Sequence, residues 1–361
     1  MEKECTRKWS ALPRVVLVTG GSGFLGINLI RWLLAHGVRE IRSLDLVPFD
    51  YPERSHARVR TVVGDVRDRV AIRGLMEGCD AVVHCAAALP LCSASEIRST
   101  DVDGTRIVAE KALAAGVSRF VYISSTAVYG IPEHHPIVET DRLEGVGPYG
   151  ESKIEAEKIL RTLDSGAFAV CILRPKSFVG PERLGVFALL YDWAFTGHAF
   201  PMIGSGKNRY QLLDVEDLCE AIGCVLASSD IQAVRGTYNV GAISFATMRE
   251  DWQAVLDAAG FGKHVVATPA WLVIPLLRLL EWTHLSPLYR WVYETAPQDS
   301  FVSVERLCRA FGWSPRFSNR DALLRNYAWY VANRERFCGQ SGKTHRVPWK
   351  QGILALIKRL F

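Results

Sequence analysis

A tyrosine and a lysine stand four residues apart at the start of a predicted helix, in the segment VGPYGESKIEAEKIL of residues 146–160. Positions i and i+4 of a helix share one face, so the phenol of Tyr149 and the ammonium of Lys153 can meet over the same patch. A phenol with its ordinary pKa of about 10 is a poor base at neutral pH, but an ammonium one helical turn away lowers that pKa. Tyr149 could then remove a proton from a substrate hydroxyl. The alternative is an exposed pair that takes part in no chemistry.

A glycine-rich turn lies between the first predicted strand and the first predicted helix. The sequence RVVLVTGGSGFLG at residues 14–26 places Gly20, Gly23 and Gly26 at three-residue intervals, and the helix after them stops at Gly37. Glycines let the backbone turn tightly and approach a pyrophosphate, whose charge is met by the N-terminal end of the helix. The pattern therefore predicts a dinucleotide site.

An acid stands at the end of each of the next two predicted strands. Asp45 lies nineteen residues beyond Gly26, where a carboxylate accepts hydrogen bonds from the adenosine ribose and repels a 2′-phosphate. This predicts NAD in preference to NADP, although the neighbouring Arg42 could weaken the preference. Asp65, in the segment GDVRD of residues 64–68, could meet the adenine amino group or serve only as a turn residue.

Short apolar runs alternate with helix-length stretches through the first half of the chain, at 41–46, 59–63, 80–86 and 118–124. Strands alternating with helices predict parallel pairing through right-handed crossovers, and hence a doubly wound α/β (Rossmann) sheet. A chain of 361 residues exceeds most single cores, so a smaller, mostly helical C-terminal substrate lobe is expected. The predicted parts are an N-terminal extension at 1–13, a dinucleotide-binding domain at 14–180, a substrate lobe interleaved with it at 181–335, and a basic amphipathic tail at 336–361.

The bulk composition indicates a folded protein of a reducing compartment. Hydrophobic residues make up 49% of the chain and charged residues 22%, which is an ordinary globular composition. The nine cysteines are scattered singly, without the spacing of a metal site, and no run of eighteen apolar residues predicts a membrane span. The first residues, MEKECTRKWSALP, lack the apolar stretch of a signal peptide, so a cytoplasmic location is expected.

Five motifs together resemble the extended short-chain dehydrogenase/reductase superfamily. They occur in that family's order within roughly residues 14 to 330, and they are TGGSGFLG, GDVRD, HCAAA, YISSTAVYG and YGESK. The resemblance implies NAD as cofactor, Tyr149 as catalytic base or acid, and a second role for Lys153 in binding the nicotinamide ribose. It further implies a set of cofactor-binding residues, namely Gly20, Gly23, Phe24, Leu25, Gly26, Asp45, Asp65, Val66, Ala86, Tyr149, Lys153, Pro175 and Ser177.

The resemblance also implies a hydroxyl, at the end of the strand before the tyrosine, that holds the substrate oxygen. Ser124, Ser125 and Thr126 compete for this role, and the spacing to Tyr149 favours Ser125. Ser125, Tyr149 and Lys153 are therefore the predicted catalytic residues.

Four other polar residues near these motifs are not assigned to the chemistry. Asp101 stands where the family usually has asparagine, which puts a proton-relay role at that position in doubt. His84 follows the fourth strand and is expected to pack beside the cofactor. His134 and His135 lie in a polar loop without further ligands, so no metal site is predicted.

The stretch GSGKNRYQLLDVEDL at residues 204–218 bears on the substrate. Sugar-nucleotide members of the family commonly carry an arginine and then an aspartate here, before a strand segment of the form V-x-D; Tyr210 and Gln211 hold those two positions. Arg209 is one residue off, which on a strand points it to the other face. Together with residues 298–330, the stretch resembles the branch of 3β-hydroxysteroid dehydrogenases and sterol-4-carboxylate 3-dehydrogenases.

Two C-terminal segments are rich in apolar side chains. Residues 267–293 suit a broad apolar ligand or a membrane-facing lid, or else a pair of core helices. Residues 343–361 have five Lys or Arg, no acid and an apolar run, which suits a basic helix at an anionic membrane surface or on a partner subunit. The net charge is +9 in residues 301–361 against −4 in residues 1–300, but no nucleic-acid motif accompanies it, so a nucleic-acid partner is not expected.

These observations lead to one expected function and one alternative. The expected protein is an NAD-dependent oxidoreductase of steroid or other lipid metabolism, peripheral on the membrane. It acts on a secondary alcohol or ketone of a sterol-like substrate, and carbon dioxide is lost if a 4-carboxylate is present. The alternative is a sugar-nucleotide epimerase, dehydratase or reductase. The resemblance also suggests a homodimer.

Overall fold

The computed structural model describes residue 9, residues 11–282 and 290–337, and residues 342, 345, 348 and 358. The strands in this part of the chain are β1 (Val15–Thr19), β2 (Glu40–Asp45), β3 (Val59–Val63), β4 (Ala81–His84), β5 (Arg119–Ile123), β6 (Ala169–Pro175), β7 (Phe178–Val179), β8 (Phe200–Ile203), β9 (Leu213–Asp214), β10 (Thr237–Val240) and β11 (Val265–Thr268). Seven of them form one parallel sheet in the order β3-β2-β1-β4-β5-β6-β10. The predicted doubly wound α/β fold is confirmed.

Helices cover both faces of this sheet and build the C-terminal lobe. They are α1 (Phe24–Ala35), α2 (Arg69–Met76), α3 (Ala94–Arg98), α4 (Thr105–Ala114), α5 (Gly147–Leu163), α6 (Phe187–Phe195), α7 (Val215–Ala227), α8 (Ile231–Val234), α9 (Met248–Ala259), α10 (Ala270–Trp282), α11 (Arg290–Thr295), α12 (Glu305–Phe311) and α13 (Asn319–Asn333). A π-helical turn at Ser99–Gly104 joins α3 to α4, and a 3₁₀ turn at Thr126–Tyr129 follows β5.

Two apolar layers hold the sheet between its helices, because successive side chains of a strand point to opposite faces. Val16 and Val18 of β1 belong to the layer shared with α1 and α7. Leu17, between them, belongs to the layer shared with α2, α4 and α5. The sheet is therefore buried on both faces, which explains the nearly continuous apolar runs of its strands.

The C-terminal lobe has a core of its own. Side chains of α6, α9 and α13 form this third cluster, and among them Tyr191, Leu256 and Leu323 are almost fully buried. The chain then leaves the lobe and returns, because β10 joins the main sheet beside β6. This path is compatible with the predicted interleaving of the two parts.

The segment expected to form a V-x-D strand belongs mainly to a helix, which corrects that expectation. Strand β9 ends at Asp214, and α7 begins at the next residue. The Asp214 carboxylate accepts a hydrogen bond of 2.8 Å from the backbone N–H of Glu216, which caps the helix. Arg209 precedes β9 and lies in no regular strand, so the strand-face argument does not apply to it.

Helix α10 carries the first half of the apolar segment predicted at 267–293. Trp271, Leu272, Leu276 and Leu279 on it are 77%, 54%, 51% and 57% exposed, so α10 is not a plain core helix. Residues 283–289 of the predicted segment lie outside the described residues. Among the helices of the described residues, none has the length and apolar character needed to cross a bilayer.

Candidate active site

The glycine turn after β1 is packed so closely that side chains are excluded. Gly20 has a φ of +70°, and a Cβ there would lie 2.8 Å from the backbone nitrogen of Ala86, in the loop after β4. A Cβ on Gly26 would overlap the carbonyl oxygen of Gly20, which brings the first turn of α1 against the loop. Both positions thus require glycine, one for its backbone conformation and both for space.

The start of α1 fits an anionic ligand. The N-cap residue is Gly23, and no side chain of the described residues caps the helix. Helix N-termini expose backbone N–H groups and a partial positive charge, which suit a pyrophosphate. Phe24 and Leu25 form the first turn and are nearly buried, and the Phe24 ring stacks on Phe178 of β7 at 5.4 Å between centroids. The residues present therefore fit a dinucleotide.

Asp45 ends β2 beside this turn, and its carboxylate is oriented by two backbone donors. Oδ2 accepts a hydrogen bond of 3.0 Å from Ser22 N–H and Oδ1 one of 3.1 Å from Val47 N–H.

Arg42 does not weaken the expected NAD preference, which corrects that suggestion. Its buried guanidinium points away, donating to the Leu75 and Glu77 carbonyls at 2.9 and 2.6 Å near the end of α2.

Replacing Asp45 with alanine is expected to weaken NAD binding by about 10- to 100-fold, because a charged hydrogen-bond acceptor of about 1.5–3 kcal/mol is lost. NADP binding should improve, since the repulsion of the 2′-phosphate disappears. Titrating NAD and NADP into the parent and into the variant measures the ratio of the two affinities in each protein. An Asp50→Ala variant, five residues further on at an exposed site, should leave both affinities unchanged. An unaltered NAD to NADP ratio in Asp45→Ala would contradict the assignment.

Asp65 follows β3, but its carboxylate already has a strong partner. Arg67 Nε lies 2.9 and 3.0 Å from the two carboxylate oxygens and Nη2 lies 2.5 Å from Oδ2. The hydrogen bonds from Arg67 lower the pKa of Asp65, so the group is ionised at neutral pH. Val66, next to it, is 5% exposed and packs against Gly104. A contact between Asp65 and the adenine amino group stays a prediction.

Tyr149 and Lys153 lie on one face of α5, as their spacing predicts. The Lys153 Nζ lies 5.6 Å from the centre of the Tyr149 ring and 4.9 Å from that of Tyr122, and it donates a hydrogen bond of 3.2 Å to the Ile123 carbonyl. Lys153 is only 1% exposed, which argues against a surface pair. Burial lowers the pKa of Lys153, while the charge of Asp101 acts in the opposite direction.

The hydroxyl candidates after β5 have different surroundings. Ser124 is buried, and its hydroxyl donates a bond of 2.6 Å to Glu157 Oε1. Ser125 is half-buried and caps the 3₁₀ turn, accepting a bond of 3.1 Å from Ala127 N–H. A Cβ on Gly150 would lie 2.8 Å from the Ala127 carbonyl, so the turn carrying Ser125 packs on the first turn of α5. This geometry favours Ser125 over Ser124; Thr126 is also half-buried, and the assignment stays a prediction.

Beneath these residues lies a buried ion pair that the sequence reasoning missed. Arg174 of β6 and Glu157 of α5 are 4% exposed each, and Arg174 Nη2 lies 2.5 Å from Glu157 Oε2. Burial acts to lower the pKa of Arg174, but the bonds to Glu157 outweigh it and raise the pKa. Arg174 Nη1 also donates to Tyr129 Oη at 2.8 Å, and Tyr129 donates to Asn239 Oδ1 at 2.7 Å. The periodicity of α5 gave a signal, since Glu157 lies one turn beyond Lys153 on the buried face.

Asp101 and His84 are buried beside Lys153 and are held by neighbours. Asp101 lies in the π-helical turn, where Oδ1 accepts a bond of 2.7 Å from Ala88 N–H and Oδ2 has no hydrogen-bond partner among the described residues. Burial raises the pKa of Asp101 and lowers that of His84 to about 3. The His84 ring bridges Thr19 and Thr105, which agrees with a packing role.

Pro175 and Ser177 flank the carboxyl end of β6, next to the end of β5. The Ser177 hydroxyl lies 3.1 Å from that of Tyr210.

In the described part of the chain, the loop histidines do not form a metal site with other ligands. His134 Nε2 lies 3.1 Å from Asp141 Oδ2 at the surface. No group of three potential metal ligands occurs within the described ranges.

Gly20, Asp45, Asp65, Ala86 and Ser125 lie at or just beyond the carboxyl ends of the parallel strands β1 to β5, the edge at which doubly wound sheets bind dinucleotides. The class of protein defined by this fold and this tyrosine–lysine helix face is the dinucleotide-dependent oxidoreductases. The sequence profile of the NAD dependent epimerase/dehydratase family matches residues 16–241, and the chain belongs to this family. It is an NAD-dependent enzyme of the extended short-chain dehydrogenase/reductase type, as predicted.

Relatives of this chain fall into more than one group. An uncharacterized protein, y4nG of Sinorhizobium fredii, is 34% identical over 96% of this chain and 86% of its own. A 3-beta-hydroxysteroid dehydrogenase of Mycolicibacterium neoaurum is 27% identical over 88% of this chain and 91% of its own. A double mutant of DesIV, the dTDP-glucose 4,6-dehydratase of Streptomyces venezuelae, solved with NAD and DAU bound, has a TM-score of 0.73 and 27% identity over 90% of this chain and 99% of its own. The relatives with a named activity thus include a hydroxysteroid dehydrogenase and a sugar-nucleotide dehydratase, and the dehydratase is solved with NAD bound.

Proposed function

We propose that this enzyme oxidises a secondary ring hydroxyl of a sterol-like lipid, specifically a 3β-hydroxyl. NAD, when bound, supplies the acceptor for the hydride that leaves the carbinol carbon. Tyr149 takes the hydroxyl proton, Lys153 favours the phenolate that does so, and Ser125 holds the substrate oxygen. The alcohol becomes a ketone, and the same residues serve the reverse reduction with Tyr149 as the acid.

The main support for a sterol substrate comes from the two positions at which sugar-nucleotide members of the family have an arginine and an aspartate, because Tyr210 and Gln211 occupy them in this chain. Gln211 is 1% exposed, and its amide is committed: Nε2 donates to the Ala242 carbonyl at 2.6 Å and Oε1 accepts from Val302 N–H at 2.8 Å. Tyr210 supplies a ring and a hydroxyl in place of the arginine. Neither residue offers a cation to a diphosphate.

Arg209, the arginine next to these two positions in the sequence, is engaged with aromatic side chains. The Arg209 guanidinium packs against the rings of both Phe245 and Phe301, at 4.7 and 4.8 Å from their centres. The exposed apolar face of α10 adds support for a lipid substrate, as does the similarity to the 3-beta-hydroxysteroid dehydrogenase described above.

The second candidate is a sugar-nucleotide epimerase, dehydratase or reductase. It is favoured by the likeness to DesIV, which extends over 90% of this chain. The two candidates differ in the part of the substrate that is bound away from the reacting carbon: an apolar ring system in one and a nucleoside diphosphate in the other.

A substrate screen separates the candidates. Incubation with NAD and 3β-hydroxysterols, 4-carboxysterols, UDP-glucose or dTDP-glucose is followed by NADH absorbance and by chromatography with mass spectrometry of the products, because an epimer has the mass of its substrate. The proposal expects a 3-ketosteroid with stoichiometric NADH, and loss of carbon dioxide from a 4-carboxysterol, because a β-keto acid decarboxylates. Conversion of a nucleotide sugar without any sterol turnover would replace the proposal with the alternative.

We also infer a peripheral attachment to anionic membranes through residues 343–361, most of which lie outside the described residues. Deleting this tail should move the protein from the pellet to the supernatant in sedimentation with phosphatidylserine vesicles, with NAD affinity unchanged. Lys207, an exposed lysine outside the tail, provides the control. Lys207→Ala should leave the protein in the pellet; equal sedimentation of the parent and the deletion would refute the attachment.

Assembly into a homodimer is a further proposal, resting on the family likeness. Sedimentation equilibrium with NAD present tests it, and a monomer mass at micromolar protein would contradict it.

A further inference from the structure

Lys176 is a buried lysine at the carboxyl end of β6. It is 3% exposed and stands between Pro175 and Ser177, two of the predicted cofactor-binding residues. Its Nζ donates a hydrogen bond of 2.5 Å to Ser300 Oγ and lies 4.9 Å from the centre of the Tyr210 ring. The Tyr210 hydroxyl in turn lies 3.1 Å from that of Ser177. Lys176 therefore belongs to a cluster of an amine and three hydroxyls beside the candidate active site.

This amine has no counter-charge in the described part of the chain. None of the ion pairs formed there includes Lys176, although a buried ammonium without an acid is unfavourable. Burial lowers its pKa to about 7. The titratable groups nearby do not neutralise it: Tyr210 is a phenol whose own pKa burial raises, and His135 is a base whose pKa burial and the Lys176 charge both lower.

Asp299, which precedes Ser300 in the sequence, is an acid engaged elsewhere. The negative charge of Asp299 acts to raise the pKa of His135. The Asp299 Oδ1 also accepts a hydrogen bond of 2.7 Å from Arg209 N–H. An acid from the substrate would thus be the partner that the Lys176 amine lacks.

We propose that Lys176 and Ser300 bind a carboxylate of the substrate, so that the enzyme selects ring alcohols that also carry an acid. The proposal rests on the proposed function and deepens it. One ammonium and one hydroxyl match the single charge and two oxygens of a carboxylate. A phosphate monoester carries about two charges and three acceptor oxygens, for which this cluster holds a single cation. Each phosphate of a nucleotide sugar carries one charge and two acceptor oxygens, so the comparison of UDP-glucuronic acid with UDP-glucose separates a carboxylate from a diphosphate at this site.

Two classes of ligand could present such a carboxylate. One is a 4-carboxysterol, which the proposed function favours, and the other is the uronic acid of a nucleotide sugar. Both are tested by comparing each acid with a neutral counterpart of nearly the same shape.

The experiment measures equilibrium binding by calorimetry with NADH present, so that no oxidation occurs. The probes are a 3β-hydroxy-4-carboxysterol and its methyl ester, and UDP-glucuronic acid and UDP-glucose. The parent enzyme should bind the sterol acid about 10- to 100-fold more tightly than its ester, the usual range for a buried charge-assisted hydrogen bond. Lys176→Met should abolish that preference, while Lys158→Met, an exposed lysine of α5, should retain it.

The other outcomes of this binding experiment lead to different conclusions about the site. A preference confined to the glucuronic acid pair, and lost in Lys176→Met, keeps the carboxylate site and assigns it to a nucleotide sugar. A preference that persists in Lys176→Met, or no preference for either acid in the parent, overturns the site. Acid binding that depends on Lys176 without any NADH formation in the substrate screen would remove the proposed oxidation and leave the carboxylate site intact.

The parent enzyme alone provides a second test that needs no variant. The pKa of Lys176 is about 7 when the site is free, and a bound carboxylate raises it. The acid should therefore bind with constant affinity below pH 7 and lose up to about tenfold per unit as the pH rises above it, with uptake of a proton. The methyl ester should show no such dependence. Equal pH profiles for acid and ester would overturn the proposal even if Lys176→Met failed to fold.

Discussion

Replacing Tyr149 with phenylalanine is expected to slow NADH formation by about 10²- to 10⁴-fold, the range typical of a lost general acid or base. The Tyr149 phenol shares a face of α5 with the buried Lys153 amine, whose Nζ lies 5.6 Å from the centre of the Tyr149 ring, and phenylalanine keeps the ring but not the proton site. NAD binding should change by no more than about twofold, because the ring still packs in place. Initial rates with the substrate from the screen and cofactor titration measure the two quantities.

Tyr238→Phe is the matched control for this prediction. The Tyr238 hydroxyl donates to the Ala233 carbonyl at 2.6 Å, in a different part of the sheet. Its loss should leave the rate within the error of the parent. If Tyr149→Phe retained the parent rate, another group would have to transfer the proton and the proposed chemistry would be wrong.

The second large effect concerns stability. Replacing Glu157 with alanine is expected to lower the free energy of unfolding by about 3–5 kcal/mol, because Arg174 would remain buried without its partner. The Ser124 hydroxyl would lose its acceptor as well. Because Glu157 joins α5 to the ends of β5 and β6, the loss should also loosen the frame that holds Lys153. Urea unfolding followed by circular dichroism gives the free energy.

Two further variants show whether the buried charge is the cause. Glu155→Ala removes a carboxylate of the same helix that is bonded to Arg98 at the surface, and its effect should be far smaller. A double variant, Glu157→Met with Arg174→Met, should recover much of the stability lost in Glu157→Ala, because no unpaired charge remains. Equal losses in Glu155→Ala and Glu157→Ala would contradict this explanation.

The sheet and the cofactor edge could be predicted from sequence because their signals are local. Strands such as β1 and β4 are short apolar runs, and parallel pairing follows from the helices between them. Gly20 and Asp45 were identifiable because a tight turn and a strand end each leave a mark within a few residues. The i,i+4 spacing of Tyr149 and Lys153 is of the same kind.

What could not be predicted depends on contacts distant in sequence. Arg42 stands three residues before Asp45, yet its guanidinium bonds to carbonyls near the end of α2, which no local pattern indicates. The pairing of Glu157 with Arg174 joins a helix to a strand. The sequence shows Lys176 only as a polar residue after a strand, whereas its buried amine bonds to Ser300, more than a hundred residues away. Residues that tune a site often depend on such tertiary contacts, whereas residues that define its class occur in motifs.

The most direct test of the central claim follows the hydride itself. A 3β-hydroxy-4-carboxysterol carrying deuterium on carbon 3 is incubated with the enzyme and NAD, and the cofactor is analysed by mass spectrometry. The account predicts one deuterium in the reduced cofactor, a slower reaction than with the unlabelled sterol, and formation of the labelled cofactor about 10²- to 10⁴-fold more slowly in Tyr149→Phe. Unlabelled cofactor from the sterol, together with turnover of dTDP-glucose deuterated on carbon 4 to a sugar product that keeps the deuterium, would contradict the account.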